Sequence, residues 1–164
     1  LATLFMVTVV MEGGTLYRPQ LVYSVIDAQG DVVRTLVPQP IRELSIRDED
    51  LALVRQGMFE AVTHGTAWLA RLPGVDVAGK TGTAEYPGVD EEGNLMLDEE
   101  GNLPTHAWFT AFAPYDDPEI ALVVFLEQGG EGSQRAVPVA AKILRHYFGL
   151  PEPVPTPRTV EASD

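Results

Sequence analysis

The sequence predicts an α+β domain in which an antiparallel sheet is covered by helices on both faces. Three observations lead there. The β-rich runs 105–113 and 119–127 are separated by Pro114-Tyr115-Asp116-Asp117-Pro118, a turn that sets them side by side as antiparallel neighbours. A shorter alternating run, 77–86, precedes them and makes a three-stranded meander. The segment Ile120-Ala121-Leu122-Val123-Val124-Phe125-Leu126 is apolar without a break, the pattern of a strand buried on both faces, and helical patterns stand before and after the meander to supply that cover.

Composition narrows the function classes. A chain of 164 residues, 45% hydrophobic, is one ordinary domain or a large piece of one. The net charge of −13 argues against a nucleic-acid surface. There is no cysteine, so there is no disulfide and no thiolate metal site, and His64, His106 and His146 match no zinc spacing. No run approaches the roughly 20 apolar residues of a membrane span. The chain opens without Met, in the middle of an apolar pattern, and the expectation is an excised fragment with any export signal or anchor upstream.

Taken in order, residues 1–12 are apolar all round and stop at Gly13-Gly14, which predicts a buried helix with a glycine cap. Runs 17–27 and 31–37 are β-rich and joined by Ala28-Gln29-Gly30, a hairpin, and Pro38-Gln39-Pro40 then breaks the chain. Ser45 with Asp48 three residues on approximates a capping box for a helix over 46–63, with Leu51, Val54, Met58 and Val62 on one stripe. His64-Gly65 closes it, His64 as a dipole-favoured C-terminal residue rather than a ligand. Residues 66–72 read as a short helical turn.

Within 88–104, Asp90-Glu91-Glu92-Gly93-Asn94-Leu95 recurs as Asp98-Glu99-Glu100-Gly101-Asn102-Leu103. The twelve-residue calcium loop with its closing glutamate is absent, so this acidic insert reads as a protruding, solvated hairpin. A glycine-rich loop over 128–133 leads to a helix over 135–148 with Val139, Ile143, Leu144 and Tyr147 on one face. The expected organisation is a domain over 1–150 and a Pro-rich disordered tail over 151–164.

The chemistry concentrates in Val77-Ala78-Gly79-Lys80-Thr81-Gly82-Thr83-Ala84-Glu85. In a strand, Lys80, Gly82 and Ala84 share one face and Thr81, Thr83 and Glu85 the other. Gly79 and Gly82 let a backbone or ligand come close. One ammonium, two hydroxyls and an approachable backbone suit an anion or a polar acyl group; the plainer alternative is a Gly/Thr-rich edge strand with a solvent-facing lysine. Residues 74–81 also satisfy the phosphate-loop pattern, but no strand precedes Gly74 and Gly82-Thr83-Ala84-Glu85-Tyr86-Pro87-Gly88 is a poor helix, so nucleotide binding is rejected.

Read the other way, Lys80-Thr81-Gly82 resembles the third motif of penicillin-binding proteins and serine β-lactamases. Gly13-Gly14-Thr15-Leu16-Tyr17-Arg18-Pro19, Gly65-Thr66-Ala67, His106-Ala107-Trp108-Phe109-Thr110-Ala111-Phe112-Ala113-Pro114 and the run 122–129 follow in the order of class B penicillin-binding proteins of the penicillin-binding protein 2 type. The resemblance covers about residues 1–149. That family's nucleophile motif Ser-x-x-Lys and second motif Ser-x-Asn are absent, since Ser24, Ser45, Ser133 and Ser163 fit neither. The chain is therefore similar to the C-terminal half of the transpeptidase domain, with two of the family's sheet strands expected upstream.

The resemblance implies the penicillin-binding protein/serine β-lactamase-like transpeptidase fold and serine acyl transfer from the D-Ala-D-Ala end of a peptidoglycan stem peptide, a substrate that β-lactams mimic. It implies catalytic roles for Lys80, near the proton path, and for Thr83, whose N–H would form half an oxyanion hole. Thr81 and Thr83 would bind the substrate's terminal carboxylate through their hydroxyls and Gly82 would keep the strand open to the substrate, while Trp108 and Phe109 read as sheet packing. No metal and no cofactor is implied, and no nucleic acid. Implied partners are the N-terminal half of the domain and a membrane glycan-polymerising synthase, at the extracytoplasmic face of the bacterial cytoplasmic membrane. A β-lactamase or D,D-carboxypeptidase relative and a non-catalytic penicillin-recognising sensor are the alternatives; the Gly65-Thr66-Ala67 and His106 segments favour the synthase.

Overall fold

The computed structural model describes residues 2–97 and 101–152; the expected tail beyond residue 152 and part of the second acidic repeat lie outside them. The order of elements is helix α1 (Ala2–Met11), strands β1 (Thr15–Tyr17), β2 (Ser24–Ile26), β3 (Val32–Thr35) and β4 (Pro40–Glu43), helix α2 (Asp48–Thr63), a 3-10 turn (Trp68–Ala70), strands β5 (Ala78–Glu85), β6 (Thr105–Ala113) and β7 (Ile120–Leu126), and helix α3 (Gly132–Tyr147). The main sheet is antiparallel in the order β5-β6-β7. The predicted hairpin is β2 with β3, and Asp27 sets its turn by accepting the backbone N–H groups of Gln29 and Asp31, each at 2.9 Å. Pro40 does not simply break the chain. It opens β4 opposite Tyr17 of β1, a strand end where a missing ladder donor is tolerated.

Three local expectations are corrected. Ser45 does not cap α2; the helix starts at Asp48, Arg47 occupies the cap position without a side-chain bond, and Arg47 instead pairs with Asp50 at 2.7 Å. Asp48, Glu49 and Asp50 in the first turn complement the helix dipole in its place. Helix α3 starts at Gly132, inside the expected loop, and turns a different face inward: Ala136, Val137, Ala140, Ala141 and Leu144 are buried, whereas Val139, Ile143 and Tyr147 are 39–49% exposed. Close approach selected that face. A Cβ on Gly132 would lie 2.6 Å from the Trp108 carbonyl oxygen and nearer still to that of Gly82, so only small residues let the helix lie on the sheet. Third, α1 is not buried all round, since Val7 and Val9 are buried but Met6 is 70% exposed.

Two apolar clusters flank the sheet. Beneath α3, Phe109, Ala111, Leu122, Val124, Val137 and Leu144 form the larger. On the opposite face, Val7 of α1 and Met58 of α2 meet Ala78 and Phe112. Strand β7 thus has cover on both sides, but unequally: Leu122 and Val124 are buried, while Phe125 on the α1 face is 45% exposed. Arg55 of α2 ties the second layer together, donating to the carbonyls of Met11 at 2.7 Å and Tyr115 at 2.5 Å while lying over the Phe112 and Tyr115 rings.

Candidate functional site

Strand β5 is an edge strand, which leaves one row of its backbone groups open among the described residues. Its register follows the predicted alternation: Lys80, Gly82 and Ala84 oppose Thr110, Trp108 and His106 on the α1 face, and Thr81, Thr83 and Glu85 oppose Phe109, Ala107 and Thr105 on the α3 face. Of the two inner glycines, Gly79 is sterically required and Gly82 is tightly fitted. The Phe109 ring lies over Gly79, where a Cβ would come 2.7 Å from a ring carbon, and a Cβ on Gly82 would sit 3.2 Å from that of Trp108.

Lys80 is exposed, and its Nζ donates to the carbonyl of Thr81 at 2.7 Å. Among the described residues it brings the one charge to a groove of about 810 Å³ walled by apolar residues of α1 and α2, among them Met6, Val10, Val54 and Met58. Val54, expected in the core stripe of α2, is 49% exposed because it faces this groove.

The two hydroxyls of β5 have different partners. Thr81 Oγ1 lies 3.0 Å from Thr66 Oγ1. Thr66 is delivered by a tight exit from α2: a Cβ on Gly65 would be 2.9 Å from the Ala61 Cα, and Arg71 pins the turn by donating to the carbonyls of Val62 and Thr63. Thr83 Oγ1 donates to Glu131 Oε2 and accepts from the Gly132 N–H, both at 3.4 Å. Glu131 occupies the N-cap position of α3, so the same helix that packs the core also reaches β5.

At the far end of the α1 face, Tyr86 stacks on His106 with centroids 4.2 Å apart, and His106 Nδ1 accepts the Gln128 N–H at 3.1 Å, which leaves the proton on Nε2. Trp108 packs against Phe125 and Phe109 is fully buried, so both act in sheet packing. The phosphate-loop reading fails geometrically, because Gly74 is a left-handed turn residue and the strand runs straight through Lys80 and Thr81 to Glu85 with no helix behind it.

Among the described residues, Ser24 lies in β2, Ser45 ahead of α2 and Ser133 in the first turn of α3. The order of a Lys-Thr-Gly edge strand, a His-Ala-Trp-Phe strand and a closing helix is matched over residues 1–145 by the model of one family, the penicillin binding protein transpeptidase domain. The chain belongs to that transpeptidase family. It is similar to the peptidoglycan D,D-transpeptidase MrdA of Haemophilus influenzae, 39% identical over 100 residues, or 57% of this chain and 15% of the relative. The peptidoglycan D,D-transpeptidase PbpA of Mycolicibacterium smegmatis is 32% identical over 122 residues, 74% of this chain and 22% of the relative. The chain therefore spans about a fifth or less of these relatives' length. Penicillin-binding protein A of Mycobacterium tuberculosis, solved as a ceftriaxone acyl-enzyme, superposes with a TM-score of 0.70 at 27% identity over 88% of this chain and 31% of that one. The fold is thus the α+β transpeptidase fold of penicillin-binding proteins.

Within this transpeptidase segment, the structure brings Thr66, Glu131 and Gly132 to the strand of Lys80, Thr81, Gly82 and Thr83. Sequence reasoning assigned none of these three a role. Thr66 had a signal, its place in Gly65-Thr66-Ala67. Glu131 and Gly132 had none beyond a glycine-rich loop, since their importance comes from a packing contact 48 or 49 residues away in sequence.

Proposed function

We propose that this chain is the C-terminal part of a peptidoglycan D,D-transpeptidase domain whose nucleophilic serine lies outside these 164 residues. The observation that carries the reading is the position of Lys80, on an open edge strand and facing an apolar groove that nothing in the described residues fills. That groove is the seat for the nucleophile-bearing half of the domain. The D,D-transpeptidase names of two relatives and the β-lactam acyl-enzyme of a structural neighbour support it.

In this reading the serine oxygen attacks the carbonyl carbon between the two D-alanines of a donor stem. The amide C–N bond breaks and the terminal D-alanine departs with a proton. The amine of a neighbouring stem then attacks the ester, the bond to the serine oxygen breaks, and a proton returns to that oxygen. Lys80 supplies positive potential at the proton path and at the donor carboxylate. Thr81 offers its hydroxyl to that carboxylate, held in orientation by Thr66. The Thr83 N–H stabilises the oxyanion, and Gly82 keeps the strand surface open to an extended peptide. No step calls for a metal or a cofactor. No helix among the described residues is long and apolar enough to cross a membrane; the reading places the protein at the extracytoplasmic face of the bacterial cytoplasmic membrane, beside a glycan-polymerising partner.

The test uses the protein with its nucleophile half and a fluorescent penicillin. Mass spectrometry should find the adduct outside these 164 residues, and Lys80→Ala should slow labelling at least about tenfold, with Thr81→Val also slower. An adduct within this chain, or parental labelling rates in both variants, would refute the reading.

A further inference from the structure

We propose that His106 is a positioning residue of this site and serves it only as the neutral imidazole. It acts through the loop 127–131, which it holds against the sheet. The inference rests on the transpeptidase reading above, although its structural half can be tested without it.

The loop turns the chain from β7 into α3 through an unfavourable conformation. Gln128 has φ +52°, in the left-handed region, and is the one residue other than glycine found there among the described residues. Such a conformation persists where the surroundings impose it. Three backbone N–H bonds do so here. Gly129 donates to the Leu126 carbonyl at 3.1 Å and Gly130 to the Thr105 carbonyl at 3.0 Å. Gln128 donates to His106 Nδ1 at 3.1 Å. Thr105 and His106 are the first two residues of β6, so the start of that strand supplies two of the three acceptors. Of the three, only the imidazole changes its protonation state near neutral pH.

The ring is held in its plane. Tyr86 stacks on it with centroids 4.2 Å apart and planes 5° apart, and Phe125 meets it edge-on at 5.2 Å. In the neutral ring the Nδ1 lone pair receives the Gln128 N–H. In the protonated ring both nitrogens carry hydrogen, and Nδ1 meets the amide as donor against donor. The bond is lost and the loop loses one of its three anchors. The charged and titratable groups on the surrounding elements are Glu85 and Tyr86 at the end of β5, Glu127 after β7, and Glu131 and Arg135 at the start of α3. Among the described residues none of these side chains bonds to the ring or to the Gln128 N–H.

The loop ends beside the proposed chemistry. Gly132, directly after it, packs so close to the carbonyl oxygens of Gly82 and Trp108 that a Cβ has no room. Gly129 is equally confined, since a Cβ there would come 2.6 Å from that of Leu126 and 3.0 Å from that of Ala107. The loop therefore backs the Gly82-Thr83 stretch, whose Thr83 N–H is the proposed oxyanion donor and needs a fixed position. Charging the imidazole frees the loop, removes that backing and slows acylation.

The experiment uses the protein with its nucleophile half and two replacements. His106→Asn offers an amide oxygen in the place of Nδ1, an acceptor that does not titrate. His106→Phe keeps a ring for Tyr86 to stack on and has no acceptor. Hydrogen exchange of the loop peptide, read by mass spectrometry, and labelling by a fluorescent penicillin are measured at about pH 8 and about pH 5, either side of an ordinary imidazole titration. Each variant's rate is divided by the parental rate at the same pH. The division removes the pH dependence common to all three proteins, including that of Lys80 and of the groups named above. From the higher pH to the lower, both labelling ratios should rise about threefold, the worth of one hydrogen bond, with the Asn variant above the Phe variant throughout. The exchange ratio of the Phe variant should start above one and fall to one, because the parent has lost the same bond. A merely structural histidine leaves every ratio independent of pH, and that result overturns the inference. Exchange that follows the pattern while labelling does not overturns the positioning role. Absence of any labelling in the parent protein overturns the transpeptidase reading, and the exchange ratios alone then decide whether His106 holds the loop.

Discussion

The two faces of the β5-β6-β7 sheet are built by opposite rules. Beneath α3 the core is apolar and closed: Phe109, Val137 and Leu144 are fully buried, and an alanine-rich helix surface lies on the strands at the closest distance Gly132 permits. Beneath α1 and α2 a smaller cluster holds the near end of the sheet, and beyond it Met6 and Val54 remain substantially exposed around an apolar groove of about 810 Å³. One face carries the fold and the other receives something. Lys80 faces the receiving side. Closed packing holds the site strand rigid from behind, so the face that binds can stay incomplete without the strand losing its shape.

This contrast predicts a ranking of substitutions. The largest effect belongs to the closed face. Leu144→Ala should cost about 2–5 kcal/mol in urea unfolding, the usual price of a cavity beneath a helix, whereas Met6→Ala should change stability by less than about 0.5 kcal/mol. Equal losses would show that the groove is covered in solution, and the contrast between faces would fall.

Arg55 joins the open face together, and its loss comes next. Arg55→Met keeps the apolar stem but strands the carbonyls of Met11 and Tyr115, so thermal unfolding should report a loss of about 1–3 kcal/mol. Lys142→Met, on the solvent side of α3, should leave the midpoint unchanged. A similar drop in both would assign the effect to net charge rather than to the clamp.

The smallest effect lies outside both faces, in the acidic insert. There Asp90 accepts the backbone N–H groups of Glu92 and Asn94 and the Asn94 side-chain amide, and Val89 bridges to Leu95. The hydrogen bonds from Asn94 hold the Asp90 carboxyl below its ordinary value. A depressed carboxylate contributes its stability above the ordinary carboxylate range and loses it as pH falls through the folded value. Asn94→Ala should therefore raise the Asp90 titration midpoint measured by NMR, with a change in global stability within about 0.5 kcal/mol. A larger global loss would make the turn part of the core.

How much was legible follows from the range of each interaction. The meander, its register faces and the helix ends at Thr63 and Tyr147 are set by side-chain period and by glycine or proline neighbours, which act within a few residues. The Lys80 and Thr81 faces were readable for the same reason. The inward face of α3 was not. A stripe of Val139, Ile143 and Tyr147 is more apolar than the alanines, but the sheet admits only what fits, and the contact with Gly82 and Trp108 selected the small residues.

The Ser45 cap of α2 failed for a different reason, since the helix starts at Asp48 and leaves Ser45 two residues ahead of the cap position that Arg47 occupies. The exposure of Met6 and Val54 shows a limit of another kind. An apolar stripe states that a surface is to be covered, and the part that covers it can lie in other residues.

By itself, then, the amino-acid order determined the three main helices, the antiparallel meander and the strand that carries the Lys-Thr-Gly chemistry, because periodicity and turn residues are local properties, whereas the pairing of β1 with β4 was not legible. Only the tertiary structure decided that Thr66 stands against Thr81 and Glu131 against Thr83, across 15 and 48 residues. Those pairings depend on how closely α3 and the Gly65 turn approach β5, and that distance is set by packed volume rather than by any neighbour in the chain.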